Sequence, residues 1–224
     1  MKKPDYTPER RPLGARDWGF VRRGAEWLAR LGVPPNAISI AGLVASAGAG
    51  MALIASATST QPALPLITAC LLILARGACN VLDGMVAVGR GIASPSGELY
   101  NEVPDRISDA VTFIGAGYAL GGLPELGYLA AVAAVFTAYV RAQGCALGAP
   151  ADFRGPMAKT HRMAVVVVAA FYTALAPASW QPAGVIRPDG GVMAVALLVI
   201  LAGCAVTSWR RLRRCARFLK QNAS

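Results

Sequence analysis

Six long apolar runs, separated by short segments rich in Pro, Gly and Arg, restrict the fold of this 224-residue chain more than any other feature. They fall at about 37–57, 64–88, 97–120, 126–147, 158–178 and 191–209. At a rise of 1.5 Å per residue, each is long enough to cross roughly 30 Å of hydrocarbon. A bilayer accepts only helices or closed barrels, because every backbone polar group must find its partner inside the protein. Barrel strands alternate polar with apolar residues, and these runs do not. The expected fold is an all-α integral membrane protein with six transmembrane helices. A composition that is 55% hydrophobic and 15% charged agrees with it.

Ahead of the first run, Trp18, Val21, Ala25 and Leu28 recur on one helical stripe, widened by Trp27 and Leu31. Arg16, Arg22, Arg23 and Arg30 lie off that stripe. This predicts an N-terminal amphipathic helix over 15–32 lying in the headgroup plane, with a soluble cap helix as the alternative. Its two Trp favour the interface. Pro34-Pro35 ends it, and Asn36 is expected to N-cap the next helix. The chain thus divides into an arm with an interfacial helix (1–36), a six-helix body (37–209) and a basic tail (210–224). No short apolar segment with a cleavage pattern opens the chain, so no cleavable signal peptide is expected.

The net charge of +10 is not spread evenly. Basic residues gather before the first run, in the second and fourth connections and after the last run. The first and third connections have neither Lys nor Arg, and the fifth has only Arg187. Both termini are therefore expected on the cytoplasmic side of an inner or plasma membrane. The positive surplus reads as a topology signal and an attraction to anionic lipid, not as a nucleic-acid surface. Cys70, Cys79, Cys145, Cys204 and Cys215 show no CxxC spacing and read as packing residues. The Gly- and Ala-rich first run predicts close helix packing, and a homodimer face is the sharper reading of it.

Residues 76–109 break the apolar pattern. Five of the chain's twelve acidic residues, Asp83, Glu98, Glu102, Asp105 and Asp109, fall there. Ionisable groups at membrane depth cost about 2.5–3.5 kcal/mol each on insertion scales, so they mark function. Asn80 and Asp83 are three apart and share a helical face. At about 100° per residue, with Asn101 taken as zero, Asp105 lies near 40°, Glu98 near 60°, Asp109 near 80° and Glu102 near 100°. Two helices presenting oxygens to one cleft form an oxygen-only site, which suits Mg²⁺ or Mn²⁺. The competing reading pairs these carboxylates with Arg76, Arg90 and Arg106. Ser94-Pro95 has the form of an N-cap followed by Pro at the first helical position, and Pro104 is expected to kink its helix.

These residues resemble the CDP-alcohol phosphotransferase (CDP-alcohol phosphatidyltransferase) family, whose pattern is D-x2-D-G-x2-A-R-x8-G-x3-D-x3-D. The chain reads Asn80-x2-Asp83-Gly84-x2-Ala87-Val88-x8-Gly97-x3-Asn101-x3-Asp105, with every spacing kept. The VPPNAISIAG start of the first run, the AYVRAQG end of the fourth and the count of six runs extend the likeness. Asn80, Asn101 and Val88 depart from the pattern, as in a variant subgroup.

The resemblance implies a transferase of phospholipid biosynthesis that moves a phosphatidyl group from a CDP-linked lipid, most readily CDP-diacylglycerol, to an alcohol with release of CMP. Two divalent cations, Mg²⁺ or Mn²⁺, would be held by Asn80, Asp83, Asn101 and Asp105. Glu102 and Asp109 would return the two lost negative charges. Asp105 would be the base. Asp83, Gly84, Ala87, Arg90 and Gly97 would line the CDP site, with Arg90 replacing the missing arginine. Arg141, Arg154, Lys159, His161 and Arg162 are the cations expected near a small alcohol or sugar-phosphate acceptor; a plain positive-inside bias explains the same residues. A degenerate member that only binds lipid or nucleotide, and a small cation transporter, are the rival functions.

Overall fold

The structure, a computed structural model, describes residues 18–92 and 94–222, with only the backbone of Pro95, Ser96, Glu98 and Ala178. Residues 1–17, including Arg16 and the start of the expected interfacial helix, lie outside the described residues. Among the described residues there are seven α-helices and no strand: α1 (Gly19–Arg30), α2 (Pro35–Ser56), α3 (Ala63–Gly89), α4 (Pro95–Gly117), α5 (Pro124–Ala146), α6 (Lys159–Leu175) and α7 (Val192–Gln221). A 3-10 turn at Ala178–Trp180 lies between α6 and α7.

Proline starts three of these helices. Pro35, Pro95 and Pro124 sit in the first turns of α2, α4 and α5, where a missing N–H removes no helical bond. Ser94 caps α4 as expected, its Oγ accepting from the Gly97 N–H at 3.1 Å. Asn36 does not cap α2. The helix begins two residues earlier than expected, with Pro34 in the cap position, because Pro35 is already pre-set to helical φ. α4 runs through Pro104 without interruption. α7 continues past 209 to Gln221, because the stretch after Trp209 lacks Gly and Pro and is made up largely of Arg with Leu, Lys and Gln, all good helix formers.

By length and composition, α2, α3, α5 and α7 can each cross a membrane. α4 and α6 fall outside that measure: α4 carries the acidic residues, and α6 is 17 residues long. The chain is an integral membrane protein. Val44, Leu64, Leu71, Val132 and Val168 are exposed, as a surface facing lipid requires.

The packing order is a closed ring. α2 lies on α3, α3 on α6, α6 on α7, α7 on α5, α5 on α4, and α4 on α2. α1 rests against α3. Lipid supplies no hydrophobic push between helices, so close approach through small residues has to hold them. At Gly115 of α4 an added Cβ would stand 2.7 Å from the Cα of Gly50 on α2. At Gly127 of α5 it would stand 2.8 Å from the Cα of Gly117. Backbones therefore touch on both sides of α4. Gly42 and Gly48 of α2 face Cys79 and Leu72 of α3, so the small residues of the first run pack within the molecule. Phe113, Leu53, Leu66, Leu123, Met193, Leu197 and Ile200 fill the interior.

Candidate functional site

The ring places the second half of α3 beside the first half of α4, with α6 closing the space from the far side. Asp105 of α4 is buried and lies at the centre. Its Oδ1 accepts from Arg76 of α3, and its Oδ2 pairs with Lys159 at the start of α6. Arg106 Nη2 stands 3.8 Å from the same Oδ2. Asn80, one turn after Arg76, bridges this group. With its amide oriented to satisfy both neighbours, Asn80 donates to Asp105 Oδ1 at 3.0 Å and accepts from Lys159 Nζ at 2.9 Å.

Asp83 is also buried, and accepts from Ser39 Oγ of α2 at 2.8 Å and from the Gly84 N–H at 2.5 Å. It is close enough to Asp105 and Arg76 to feel both charges. Asn101 is half-buried on α4. Glu102 pairs with Arg106 at 3.0 Å and with Arg141 of α5. Asp109, deeper along α4, meets Arg162 at 2.9 Å, and both are almost wholly buried. Arg162 also donates to Thr137 Oγ1 at 2.9 Å and to the Met157 carbonyl at 3.1 Å.

The expected residues thus separate into groups. Asn80, Asp83 and Asp105 come together, and Glu102 and Asp109 stand on the same helix with cations of their own. Gly84, Ala87 and Gly97 lie half-buried where α3 ends and α4 begins. Arg90 is elsewhere engaged: its Nη1 donates to the carbonyls of Gly32 at 3.2 Å and Val33 at 3.3 Å, tying α3 to the link between α1 and α2.

The five acceptor candidates do not converge. Lys159 and Arg162 face the carboxylates. Arg141, which also lies 5.1 Å from the Phe153 ring centre, and the exposed Arg154 line a separate cavity of about 270 Å³ with Arg211, Arg214 and Arg217 of α7. His161 is exposed, with Nδ1 3.1 Å from the Pro156 carbonyl.

Two features escaped the sequence reading. Arg76 entered it only as a partner for stray charge, although 76, 80 and 83 fall on one helical face at i, i+4 and i+7. Arg211, Arg214 and Arg217 were assigned to a tail, whereas continuous helix brings them to a cavity.

The divalent cations implied by the resemblance do not fit this donor set. Mg²⁺ and Mn²⁺ need about six oxygens around each ion. Among the described residues, no group of three or more His, Cys, Asp or Glu is placed to hold a metal. Two of the four motif positions are amides, and the Asp105 oxygens already face Arg76 and Lys159.

No protein-family model matches the chain, and no curated protein matches it. Solved structures do. The phosphatidylinositol phosphate synthase of Mycobacterium tuberculosis with CDP-DAG bound superposes with a TM-score of 0.70 at 21% identity, over 87% of this chain and 92% of that one. The same enzyme with manganese and citrate gives 0.70 at 21%, over 87% and 88%. Its apo form gives 0.66 at 21%, over 85% and 93%. At this identity the likeness is one of fold: the chain shares the helical architecture of that synthase.

Proposed function

We propose that the protein is a membrane phosphatidyltransferase, moving a substituted phosphoryl group from a CDP-linked lipid, CDP-diacylglycerol foremost, to an alcohol with release of CMP. One observation carries the reading. The segments Asp83-Gly84-x2-Ala87 and Gly97-x3-Asn101-x3-Asp105 keep the family spacing, and their helices meet at Asp105 in a fold shared with an enzyme that holds CDP-DAG.

In this reading the acyl chains stay in the bilayer and the nucleotide lies over Gly84, Ala87 and Gly97, where small residues leave the backbone open. Asp105 accepts the proton of the acceptor hydroxyl. The acceptor oxygen bonds to the phosphorus that bears diacylglycerol, the bond from that phosphorus to the bridging oxygen breaks, and CMP leaves with the electron pair. N–H donors of the cations around Asp105 face the charge that develops on the phosphoryl oxygens. Arg90 would have to leave Gly32 and Val33 to reach the nucleotide.

Arg141 and Arg154, with the α7 arginines, suit the phosphate of a sugar-phosphate acceptor. Six membrane crossings, α1 in the headgroup plane and both termini cytoplasmic complete the proposal, with the division at 36 and 209 kept and the tail carried on α7. A homodimer is compatible with the exposed apolar faces of the ring. The ion pairs on Asp105 favour a second reading, a protein that binds CDP-lipid without turning it over.

The test is release of CMP from CDP-diacylglycerol by purified protein offered a panel of alcohols and sugar phosphates, with and without Mg²⁺. Wild type should release CMP with at least one acceptor. Asp105→Asn should lose about 10²-fold or more, the usual contribution of a positioned base, while keeping its thermal unfolding profile. A wild-type rate in Asp105→Asn removes the base. Silence with every acceptor leaves only the binding reading.

A further inference from the structure

The cleft between α3, α4 and α6 holds cations that are part of the chain. Arg76 lies on one oxygen of Asp105 and Lys159 on the other, and Asn80 joins both sides of the pair. The Lys159, Asp105 and Arg76 side chains retain only 14%, 11% and 9% of their exposure, so the grouping is nearly closed from water. We propose that Lys159 and Arg76 take the place of divalent metal here, so that the chain grips the diphosphate of a CDP-linked ligand without Mg²⁺ or Mn²⁺. The proposal rests on the transferase reading for the identity of the ligand, and on the geometry alone for the exclusion of metal.

Charge and donor count lead to it together. Asp83 and Asp105 are the carboxylates at the motif positions, and Arg76 and Lys159 balance them before any ion arrives. The other described carboxylates of α4 are balanced as well, Glu102 by Arg106 and Arg141, and Asp109 by Arg162. A divalent ion entering this set would bring uncompensated positive charge into a region of low dielectric, which is strongly disfavoured. An entering diphosphate meets the opposite balance, since five cations (Arg76, Arg106, Arg141, Lys159 and Arg162) stand among the four described carboxylates Asp83, Glu102, Asp105 and Asp109.

The donors are available for it. An ammonium has three N–H groups, and those of Lys159 that face Asp105 Oδ2 and Asn80 Oδ1 leave one to spare. A guanidinium has five, and the Arg76 contact with Asp105 uses Nη2. Lys159 is also held in place by its position: it opens α6, and α6 packs on α3. Asn80 belongs to the same device. An amide can donate to Asp105 and accept from Lys159 at once, which a carboxylate in that position cannot do.

Two measurements on the full chain in detergent micelles, stripped of metal with EDTA and dialysed, decide the matter. In the first, Mn²⁺ alone is titrated and its free paramagnetic resonance signal recorded. Wild type should leave the signal undiminished at equimolar metal. Stoichiometric loss of signal overturns the exclusion of metal. In the second, CDP binding is measured by calorimetry in EDTA and in Mg²⁺. Wild type should bind equally in both. Lys159→Met should weaken binding at least about tenfold, the worth of one charge-assisted hydrogen bond, and Lys159→Arg should retain most of it.

Binding that requires Mg²⁺, or that ignores Lys159→Met, overturns the built-in clamp. The wild-type comparison stands even where a variant fails to fold. Absence of CDP binding in both buffers overturns the ligand assigned under the transferase reading, and the Mn²⁺ titration then decides metal exclusion by itself.

Discussion

Asp109 and Arg162 meet at 2.9 Å with almost no exposure on either side. Ions so deeply buried tolerate the loss of a partner badly, because the remaining charge has neither water nor counter-ion. Arg162→Met should therefore cost about 3–5 kcal/mol in thermal unfolding. Arg162→Met combined with Asp109→Leu should recover most of that loss, since an apolar pair of similar volume removes the stranded charge. Simple addition of two separate losses would show that the pair does not act as a unit. The acidic half of this pair was plain in the sequence, because an Asp in an apolar run stands out. Its partner was not. Arg162 looked like one more positive charge at a helix start, and no local spacing ties it to Asp109.

At the scale of helices, α4 is gripped from two sides by glycine-to-glycine crossings. A methyl group at 115 would lie 2.7 Å from the Gly50 Cα, far inside contact distance. Gly115→Ala should lower stability by about 1–3 kcal/mol through forced separation of α2 and α4. Gly77→Ala in α3 meets nothing within 4 Å and should be neutral or stabilising, because a mid-helix Gly carries an entropic cost of ~0.5–1 kcal/mol relative to Ala. Equal effects of the two substitutions in thermal unfolding would rule out the crossing as the cause. The glycines of α2 were legible as a packing surface, but sequence alone could not say whether the surface served this molecule or a second copy. Only the facing residues on α3 and α4 decide that.

The join between the α5–α6 loop and α7 depends on another carboxylate. Burial pushes Asp152 up, but the Arg154 N–H and the Arg214 and Arg154 guanidiniums outweigh it and hold the carboxyl below its ordinary value. Its oxygens face Arg214 Nε at 2.5 Å and Arg154 Nε at 3.2 Å. A depressed carboxyl stabilises the fold above the pKa of the unfolded chain, and that contribution fades as pH falls through the folded value. Asp152→Asn should accordingly unfold at a lower temperature than wild type at neutral pH. The gap should narrow as the solution is acidified below the ordinary carboxylate range. A gap independent of pH would assign the effect to lost packing.

For the whole molecule, the sequence located α2 to α6 to within a few residues, since length and continuity of apolar residues fix them. The order in which helices touch was beyond it. That α6 should return to α3 and close the ring depends on shape complementarity across the bundle, which leaves no periodic mark. α7 shows the same limit differently: its apolar part was visible, and its basic extension looked like a tail because charge, not helix propensity, caught attention.

The late position of α6 has a consequence for biosynthesis. Carboxylates on α4 leave the ribosome well before Lys159 and Arg162, the ammonium and guanidinium that neutralise Asp105 and Asp109. Until then Asp105 has Arg76 at hand, while Asp109 must wait. The polar fourth helix is thus an unfinished guest of the lipid, and the penultimate helix is what allows it to stay.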